Sequence, residues 1–437
     1  MQTSNTGFDS KNPPSAELLD ACVHCGFCLD TCPSYRVIGK ETDSPRGRIY
    51  LMDAINQDEA RFDSVTSQHF DSCLGCLACV TSCPSGVRYD QLIISTRAQV
   101  ERNQPRSFHQ KVIRSIVFNL FPYPERLKYL LPLFWLYQNS PLQSLFLKMG
   151  FLKAISSNLS AMESLLPRVE LKSLQVNFPA IVPSQGEKRY RVGMVLGCVQ
   201  RLFFSSVNAA TIRVLTANGC EVVIPPQQGC CAAIPAHQGR EKQAQELARQ
   251  MIDSFAATEV DYIIINAAGC GHTLKEYGSI LRDDPLYQQK GRDFSNRVRD
   301  IQEFLVEIGL NTQLFPLTEE TLTIVYQDAC HLLHGQSISA QPRELLRQIP
   351  NVILKEPVDA ALCCGSAGVY NMLEPEVAEQ LGQQKLKNLL NTGAQMIASS
   401  NPGCSLQIAR SMKTQGQAIA LRHPIELLDL AIRGERI

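Results

Sequence analysis

Two short stretches constrain this chain more than anything else in it. Cys22, Cys25, Cys28 and Cys32-Pro33 form one, and Cys73, Cys76, Cys79 and Cys83-Pro84 form the other. Both read C-x2-C-x2-C-x3-C-P, and each cysteine of the second run lies 51 residues after its counterpart in the first. Three thiolates at this spacing wrap one face of an iron–sulfur cube, and the fourth reaches the other cube of a pair. The expected assignment is therefore crossed: Cys22, Cys25, Cys28 and Cys83 on one [4Fe-4S] cluster, Cys73, Cys76, Cys79 and Cys32 on the second. The competing reading is a pair of structural zinc sites, but zinc usually takes two C-x2-C knuckles separated by a longer loop. Two cubes in one small module lie close enough to pass electrons between them, so a relay is expected here rather than a substrate site.

The chain has 437 residues, 44% of them hydrophobic, enough for two or three domains. Lys plus Arg number 42 and Asp plus Glu 42, so no net field draws it to nucleic acid or to another polyanion. The first residues are polar, without the apolar stretch of a secretory signal, and a cytoplasmic location is expected. In a reducing compartment, 17 cysteines mean metal or redox chemistry rather than disulfides.

Beyond the two runs a longer repeat appears. Cys198, Cys230, Cys231 and Cys270 recur as Cys330, Cys363, Cys364 and Cys404, at offsets of 132, 133, 133 and 134 residues. Short apolar runs near 191–197, 221–224 and 261–266 read as strands, with a helix near 240–257. The second copy matches them near 321–326, 352–354 and 395–398, with a helix near 375–390. Alternating strands and helices argue for an α/β sheet in each copy, with the cysteines at the carboxyl ends of strands, where open α/β sheets place ligand sites.

Adjacent cysteines such as Cys363 and Cys364 suit neighbouring irons better than a mutual disulfide, and Gly365 and Gly403 would admit a bulky group. Each copy could thus hold a further iron–sulfur cluster, stay metal-free, or cycle as a dithiol. His272, His331 and His334 stand beside these cysteines and could tune a thiolate, carry protons, or serve only as hydrogen-bonded structure. Cys220 falls outside the repeat and reads as a buried small hydrophobe.

The expected architecture is α+β and multi-domain. A mostly helical, bacterial-ferredoxin-like two-cluster domain spans 15–105, and a helical apolar segment spans 106–155. A linker follows over 156–188, then two tandem cysteine-rich α/β domains over 189–310 and 318–432. In the helical segment, Phe108, Val112, Ile113, Ile116, Val117, Leu120 and Phe121 share one helical face, with Lys111 and Arg114 opposite. The uncharged stretch 129–147 is too interrupted, by Pro132 and Pro141, to span a membrane. Short helices buried against the protein are expected there, with a docking surface for a partner or the bilayer interface as the alternative. No Gly-x-Gly-x-x-Gly or Gly-x-x-x-x-Gly-Lys loop is present, so a flavin, nicotinamide or nucleotide site is not evident.

The two cysteine runs, the connecting Ser44-Pro45-Arg46-Gly47-Arg48, and the two Cys-Cys domains in this order resemble the iron–sulfur subunits of bacterial glycolate oxidase (glycolate dehydrogenase). The likeness runs from about residue 16 to 432 and is strongest at Gln327 to Gln336, Cys363 to Asn371 and Asn401 to Cys404. It implies an electron-transfer subunit of an oxidoreductase complex, in which a separate flavoprotein oxidises glycolate to glyoxylate. It further implies a membrane quinone as acceptor, contact with the inner membrane face, and the eight ferredoxin-type cysteines as cluster ligands. Looser likeness extends to lactate-utilisation proteins, the small subunit of anaerobic glycerol-3-phosphate dehydrogenase and heterodisulfide reductase. An electron-transfer or catalytic role in such a complex is the alternative. Thr273 and Gln407 stand where the reductase pattern ends in cysteine, and Ala232 where it has glycine, which argues against disulfide reduction.

Overall fold

The computed structural model describes residues 7–169 and 177–437. The fold is α+β, with a helical amino-terminal unit followed by two α/β units. In the first unit, short helices separate the cysteine runs, and their starts are written locally. Pro33 and Pro45 open helices Pro33–Ile38 and Pro45–Asn56, and Ser44 Oγ accepts the Gly47 N–H at 2.9 Å. Asp63 caps Ser64–Asp71 with a reciprocal bond from Thr66. These helices and Tyr89–Asn103 bury Met52, Ile55, Phe70, Leu92 and Val100 between them.

Two sheets follow. The first comprises β1 (Ile181–Val182), β2 (Tyr190–Met194), β3 (Cys220–Val223), β4 (Tyr262–Ile265) and β5 (Val298–Asp300), in the order β1-β3-β2-β4-β5. The second comprises β6 (Leu322–Gln327), β7 (Val352–Lys355), β8 (Met396–Ser399) and β9 (Ala420–Arg422), in the order β7-β6-β8-β9. All pairings are parallel except the short β1 against β3. The six strands expected from the repeat are present, as are helices Glu241–Phe255 and Pro375–Leu390. Three of the four edge strands, β1, β5 and β9, have only two or three residues each, too few to show a period. Each unit places its first long strand between its second and third, so the connections leave in opposite directions beside Cys198 and Cys330, as at a topological switch point.

The two sheets bury one continuous core: Met194, Val214, Leu215 and Phe304 pack in the same cluster as Ile324, Tyr326, Leu345 and Leu428. Helix Pro424–Arg433, at the end of the second copy, lies against helix Ser205–Ala217 of the first. Arg213 grips Asp429 there through two bonds of 2.8 and 2.6 Å. Cys220 is fully buried at the start of β3.

The connecting segment is helical, with helices Phe108–Leu120, Pro124–Gln138, Pro141–Lys148, Phe151–Ile155 and Ser157–Leu165. The last of these lies inside the expected linker 156–188, of which residues 170–176 fall outside the described residues. The amphipathic assignment needs correction. Phe108 is exposed, whereas Arg114 is buried because Glu101, on another helix, takes its guanidinium at 2.6 Å. Pro132 does not end its helix; the carbonyl it leaves unpaired belongs to exposed Lys128. The stretch 129–147 is also less buried than expected: Tyr129, Leu133, Leu136, Leu142 and Leu145 stand exposed. Among the described residues no helix is long and apolar enough to cross a membrane.

Two outcomes follow from this packing. Gly239 has φ +77°, and a Cβ there would lie 2.3 Å from the Arg97 carbonyl, at the contact between the helical unit and the first sheet. Gly416→Ala, at φ +63° in open space, is expected to cost about 1 kcal/mol, and Gly239→Ala about 3 kcal/mol, read by chemical denaturation. Burial pushes the carboxyl of Asp300, which caps helix Ile301–Ile308, up to about 6. Its folded-state pKa lies above its unfolded value, so stability is full below about pH 4 and drains as pH rises through about 6. Asp300→Asn keeps a capping oxygen and is expected to flatten unfolding free energy against pH over that window, by up to about 3 kcal/mol.

Candidate iron–sulfur relay

The two amino-terminal loops are folded alike. His24 and Gly26 in the first have φ of 53° and 86°, and their counterparts Gly75 and Leu77 in the second have 64° and 66°. Left-handed residues at alternate positions turn successive N–H groups to one side, making a concavity for an anion. The Gly75 N–H accordingly points to Cys73 Sγ at 3.3 Å. A non-glycine residue at two of these four positions hid the pattern in the sequence.

Cys22, Cys25, Cys28 and Cys83 line one cavity together with Cys79 of the other expected set and with Phe27, Arg46 and Ile49. Cys25 is exposed, as are Val23 and Phe27, so this cavity sits at the surface. Burial, then the neighbouring thiols, pushes the Cys22 thiol up, while Arg46 pulls the other way. Arg46 is fixed by bonds to the His24 carbonyl (3.0 Å) and Glu41 (2.8 Å).

Cys32, Cys73, Cys76 and Cys79 are instead all buried. Beside them lies Arg48, with no exposed surface, donating to the His69 carbonyl at 2.5 Å, Ser72 Oγ at 2.9 Å and Ser34 Oγ at 3.1 Å. Its Nη1 is buried without a partner. Burial works against the Arg48 charge, and the thiols of Cys73 and Cys32 with Asp43 hold it above its ordinary value. Burial likewise opposes ionisation of Cys73, but Arg48 and Arg97 outweigh it and bring that thiol down. A buried cation with a free N–H beside four thiols fits an anionic cluster held by those thiols. Among the described residues no three of His, Cys, Asp and Glu converge on a single-ion position.

The tandem cysteines form two compact sets. Cys198 and Cys230 Sγ are 3.5 Å apart, and Cys231 is held low by thiol donors from Cys230 and Cys270. In the second copy Cys363 and Cys404 do the same to Cys364. The copies place their cations differently, the first having Arg201 beside Cys198 and Cys230. Lys385 Nζ, buried and 2.6 Å from the Ala360 carbonyl, acts on Cys364, Cys404 and Cys363, whereas the matching helix of the first copy carries Met251 and Ile252. Gly365, with φ +86°, is required by packing: a Cβ would lie 2.5 Å from the Ala378 carbonyl. That close approach is to a helix rather than to a cofactor.

Seven of these eight cysteines, all but Cys363, line one cleft of about 160 Å3 between the two copies, with His237 and His331. His237, His272 and His331 cluster with ring centroids 4.7–6.0 Å apart. Burial depresses all three, His272 to about 3, so the group is neutral at pH 7. His331 Nε2 donates to the Gly75 carbonyl at 2.9 Å, between Cys73 and Cys76. His334 meets Thr81 at 2.7 Å, and Cys76 and Cys330 influence each other electrostatically. Tyr370 donates to the Ser72 carbonyl at 3.2 Å, and Arg97 donates to the His237 carbonyl at 2.8 Å. The buried amino-terminal set thus abuts the second tandem set. Gln407 spends its amide on Asn371 and the Ala378 carbonyl, away from the thiols. His237 and Arg97 went unrecognised in the sequence, where a lone His and a helical Arg carry no signal; Arg48 stood in a quoted motif without a role.

Family models match the chain in the same order: a 4Fe-4S dicluster domain over residues 18–87, the glycolate oxidase iron-sulfur subunit linker region over 109–166, and a cysteine-rich domain over 192–275 and again over 324–409. The probable glycolate oxidase iron-sulfur subunit of Bacillus subtilis is 38% identical, over 96% of this chain and 94% of that protein. The chain belongs to the glycolate oxidase iron–sulfur subunit family. The Escherichia coli glycolate oxidase iron-sulfur subunit is 32% identical across the whole of both chains. Lactate utilization protein A of Halalkalibacterium halodurans is 25% identical, covering 55% of this chain and 96% of that one. The 4Fe-4S dicluster domain makes the chain a two-cluster iron–sulfur protein, and family membership places the tandem sets on the same chain as the dicluster.

Arg48→Met tests the buried charge. A cation near reduced iron favours reduction, so its loss is expected to lower the midpoint of one paramagnetic centre by on the order of 100 mV in a potentiometric titration, leaving the other unmoved. Equal shifts of both centres, or of neither, would contradict the placement of Arg48.

Proposed function

We propose that the chain is the electron-transfer subunit of a glycolate-oxidising complex, taking electrons from a flavoprotein subunit that converts glycolate to glyoxylate. The observation that carries this reading is the continuous line of thiol sets, from exposed Cys25 through the buried Cys32–Cys73–Cys76–Cys79 set to Cys330 and the cleft, joined to family membership. In this reading Cys22, Cys25, Cys28 and Cys83 hold the first [4Fe-4S] cluster, and Cys73, Cys76, Cys79 and Cys32 the second. When bound, such clusters supply one-electron carriage.

The chain's own residues then have distinct tasks. Val23 and Phe27 offer an apolar rim at the entry point for the flavoprotein. Arg48 and Arg97 balance negative charge where water is excluded, and His331 holds the Gly75 loop against the second cysteine-rich unit. A further cluster is proposed in the second copy, on Cys330, Cys363, Cys364 and Cys404, because buried Lys385 there offsets negative charge. Beside Cys198 and Cys230 the first copy has Arg201 instead, its guanidinium spent on the Gly197 and Gln228 carbonyls at 2.7 Å. The division 15–105, 106–155, 189–310 and 318–432 serves as the functional partition, with electrons entering at the first and leaving at the last. A quinone is the proposed terminal acceptor. The exposed Tyr129, Leu133, Leu136 and Leu142, flanked by Arg126 and Lys128, form the proposed contact with the inner face of a membrane.

Purified alone, the chain is expected to show no glycolate-dependent dye reduction. Purified anaerobically with its flavoprotein, it is expected to develop iron–sulfur paramagnetic signals on addition of glycolate but not of D-lactate or glycerol 3-phosphate. Silence with glycolate, when dithionite does reduce the clusters, would assign a different donor. Replacing Cys363 and Cys364 by Ser is expected to leave both amino-terminal signals intact while cutting transfer to the acceptor at least about tenfold. Undiminished transfer would confine the relay to the first two clusters.

A further inference from the structure

Of the four thiol sets, the first tandem one is left without a task by the relay. Cys198, Cys230 and Cys231 are buried, and Cys198 Sγ lies 3.5 Å from Cys230 Sγ. The two sulfurs come from different loops, after β2 and after β3, and two side chains tie those loops together. Arg201 donates to the Gly197 carbonyl, beside Cys198, and to the Gln228 carbonyl, shortly before Cys230, both at 2.7 Å. The buried side chain of Gln228 accepts the Leu196 N–H at 2.7 Å and donates to the Met194 carbonyl at 3.0 Å. At the matching positions of the second copy stand Leu333 and Ala361, whose side chains form no hydrogen bonds, so the clamp belongs to the first copy. An iron–sulfur cluster seats metal between its thiols and would have to part loops that this clamp holds. A bond between the two sulfurs asks only that they close by about 1.5 Å. A dithiol and a disulfide are both uncharged, so neither form of the pair leaves a net charge in a buried site.

We propose that Cys198 and Cys230 form a reversible dithiol–disulfide pair, a two-electron store beside a relay that carries electrons singly. On reduction the sulfur–sulfur bond breaks and each sulfur takes up one electron and one proton. The two electrons come one apiece from the chain's two reduced [4Fe-4S] clusters, which return to their oxidised form, and the protons come from water. Oxidation of the pair runs the same step backwards, the bond forming as two electrons and two protons leave. Contacts lead to the pair from the second copy. Asn401 donates to Cys404 Sγ at 3.4 Å and accepts the Gly269 N–H at 3.1 Å, and the neighbouring Cys270, then Cys231 and Cys230, follow as hydrogen-bonded thiols. The pair depends on the two clusters and not on which donor fills them, so it goes beyond the electron-transfer reading.

The cluster-loaded full chain is poised anaerobically with redox dyes, over potentials at which its iron and sulfide content holds, then quenched in acid, alkylated and digested without reductant. At the oxidising end, mass spectrometry is expected to find Cys198 joined to Cys230, and after dithionite both are expected to carry the alkyl label. A dithionite titration is expected to consume about two electrons per chain beyond those that the paramagnetic signals count. Cys198→Ser is expected to lose the link and those two electrons while keeping its iron and sulfide. Should that variant not fold, the link and the titration in the unaltered chain decide the matter. No link at the oxidising end, no electrons beyond the signals, or a loss of about four irons per chain in Cys198→Ser, which would mark a cluster at this site, would each overturn the proposal. The failure of the glycolate reading looks different: glycolate and flavoprotein would then leave the clusters oxidised, while dithionite still opens the link.

Discussion

Negative charge held away from water is the problem around which the molecule is arranged. Cys32, Cys73, Cys76 and Cys79 are all buried, and thiolates in a low-dielectric interior are costly unless cations and N–H donors face them. At Cys73 that requirement is met by Arg48, Arg97 and the Gly75 N–H of the left-handed loop, while burial holds the thiols of Cys76 and Cys79 well above their ordinary value. Two of these elements also join the units. Arg97 reaches the His237 carbonyl, and the Gly75 carbonyl takes the His331 proton. The groups that make an anionic site tolerable therefore also fix its distance from the next set of thiols. A shift of the helical unit would cost hydrogen bonds in the site, and that is a physical reason for rigidity along the relay.

The duplicated half shows what repetition preserves and what it releases. Strand order, the placement of Cys198 and Cys330 after the central strand, and the low-held second member of each Cys-Cys pair recur. The position of the cation does not recur: Lys385 occupies a depth where the first copy has Met251 and Ile252, and the first copy's cation is Arg201, beside Cys198 and Cys230. The first copy spends its polar groups differently, with Tyr277 donating to the Cys231 carbonyl at 3.2 Å. Because both sheets share one core, the copies cannot slide apart, and the cleft between their thiols is a fixed feature.

Much of this was legible from spacing. The cysteine runs and the repeat announced the dicluster and the tandem units, because short ligand spacings and long offsets survive without knowledge of the fold. The long strands were legible because buried parallel strands are continuous apolar runs. What stayed hidden depends on partners far away in sequence. Arg114 looks solvent-facing until Glu101 is seen opposite it, and Gly365 looks like room for a cofactor until the Ala378 carbonyl is found there. The histidine cluster is a product of three separate elements, and only two of its members stood near a cysteine. Exposure of Tyr129 and Leu133 was illegible for the same reason, since an apolar stretch does not reveal how much core is available to cover it.

Exposure also sets a direction. Cys25 lies at the surface, the second thiol set is enclosed, and the cleft beyond is lined by apolar groups and neutral imidazoles. An exposed first site lets a partner's donor approach closely, and an enclosed second site keeps water and small oxidants from intercepting electrons. A cleft that is open but apolar admits only molecules that leave water willingly. Selectivity at the two ends thus comes from different physics, surface complementarity at the exposed cavity and desolvation at the cleft. Between them, the buried guanidiniums of Arg48 and Arg97 hold the middle of the path at a charge balance that neither end could supply.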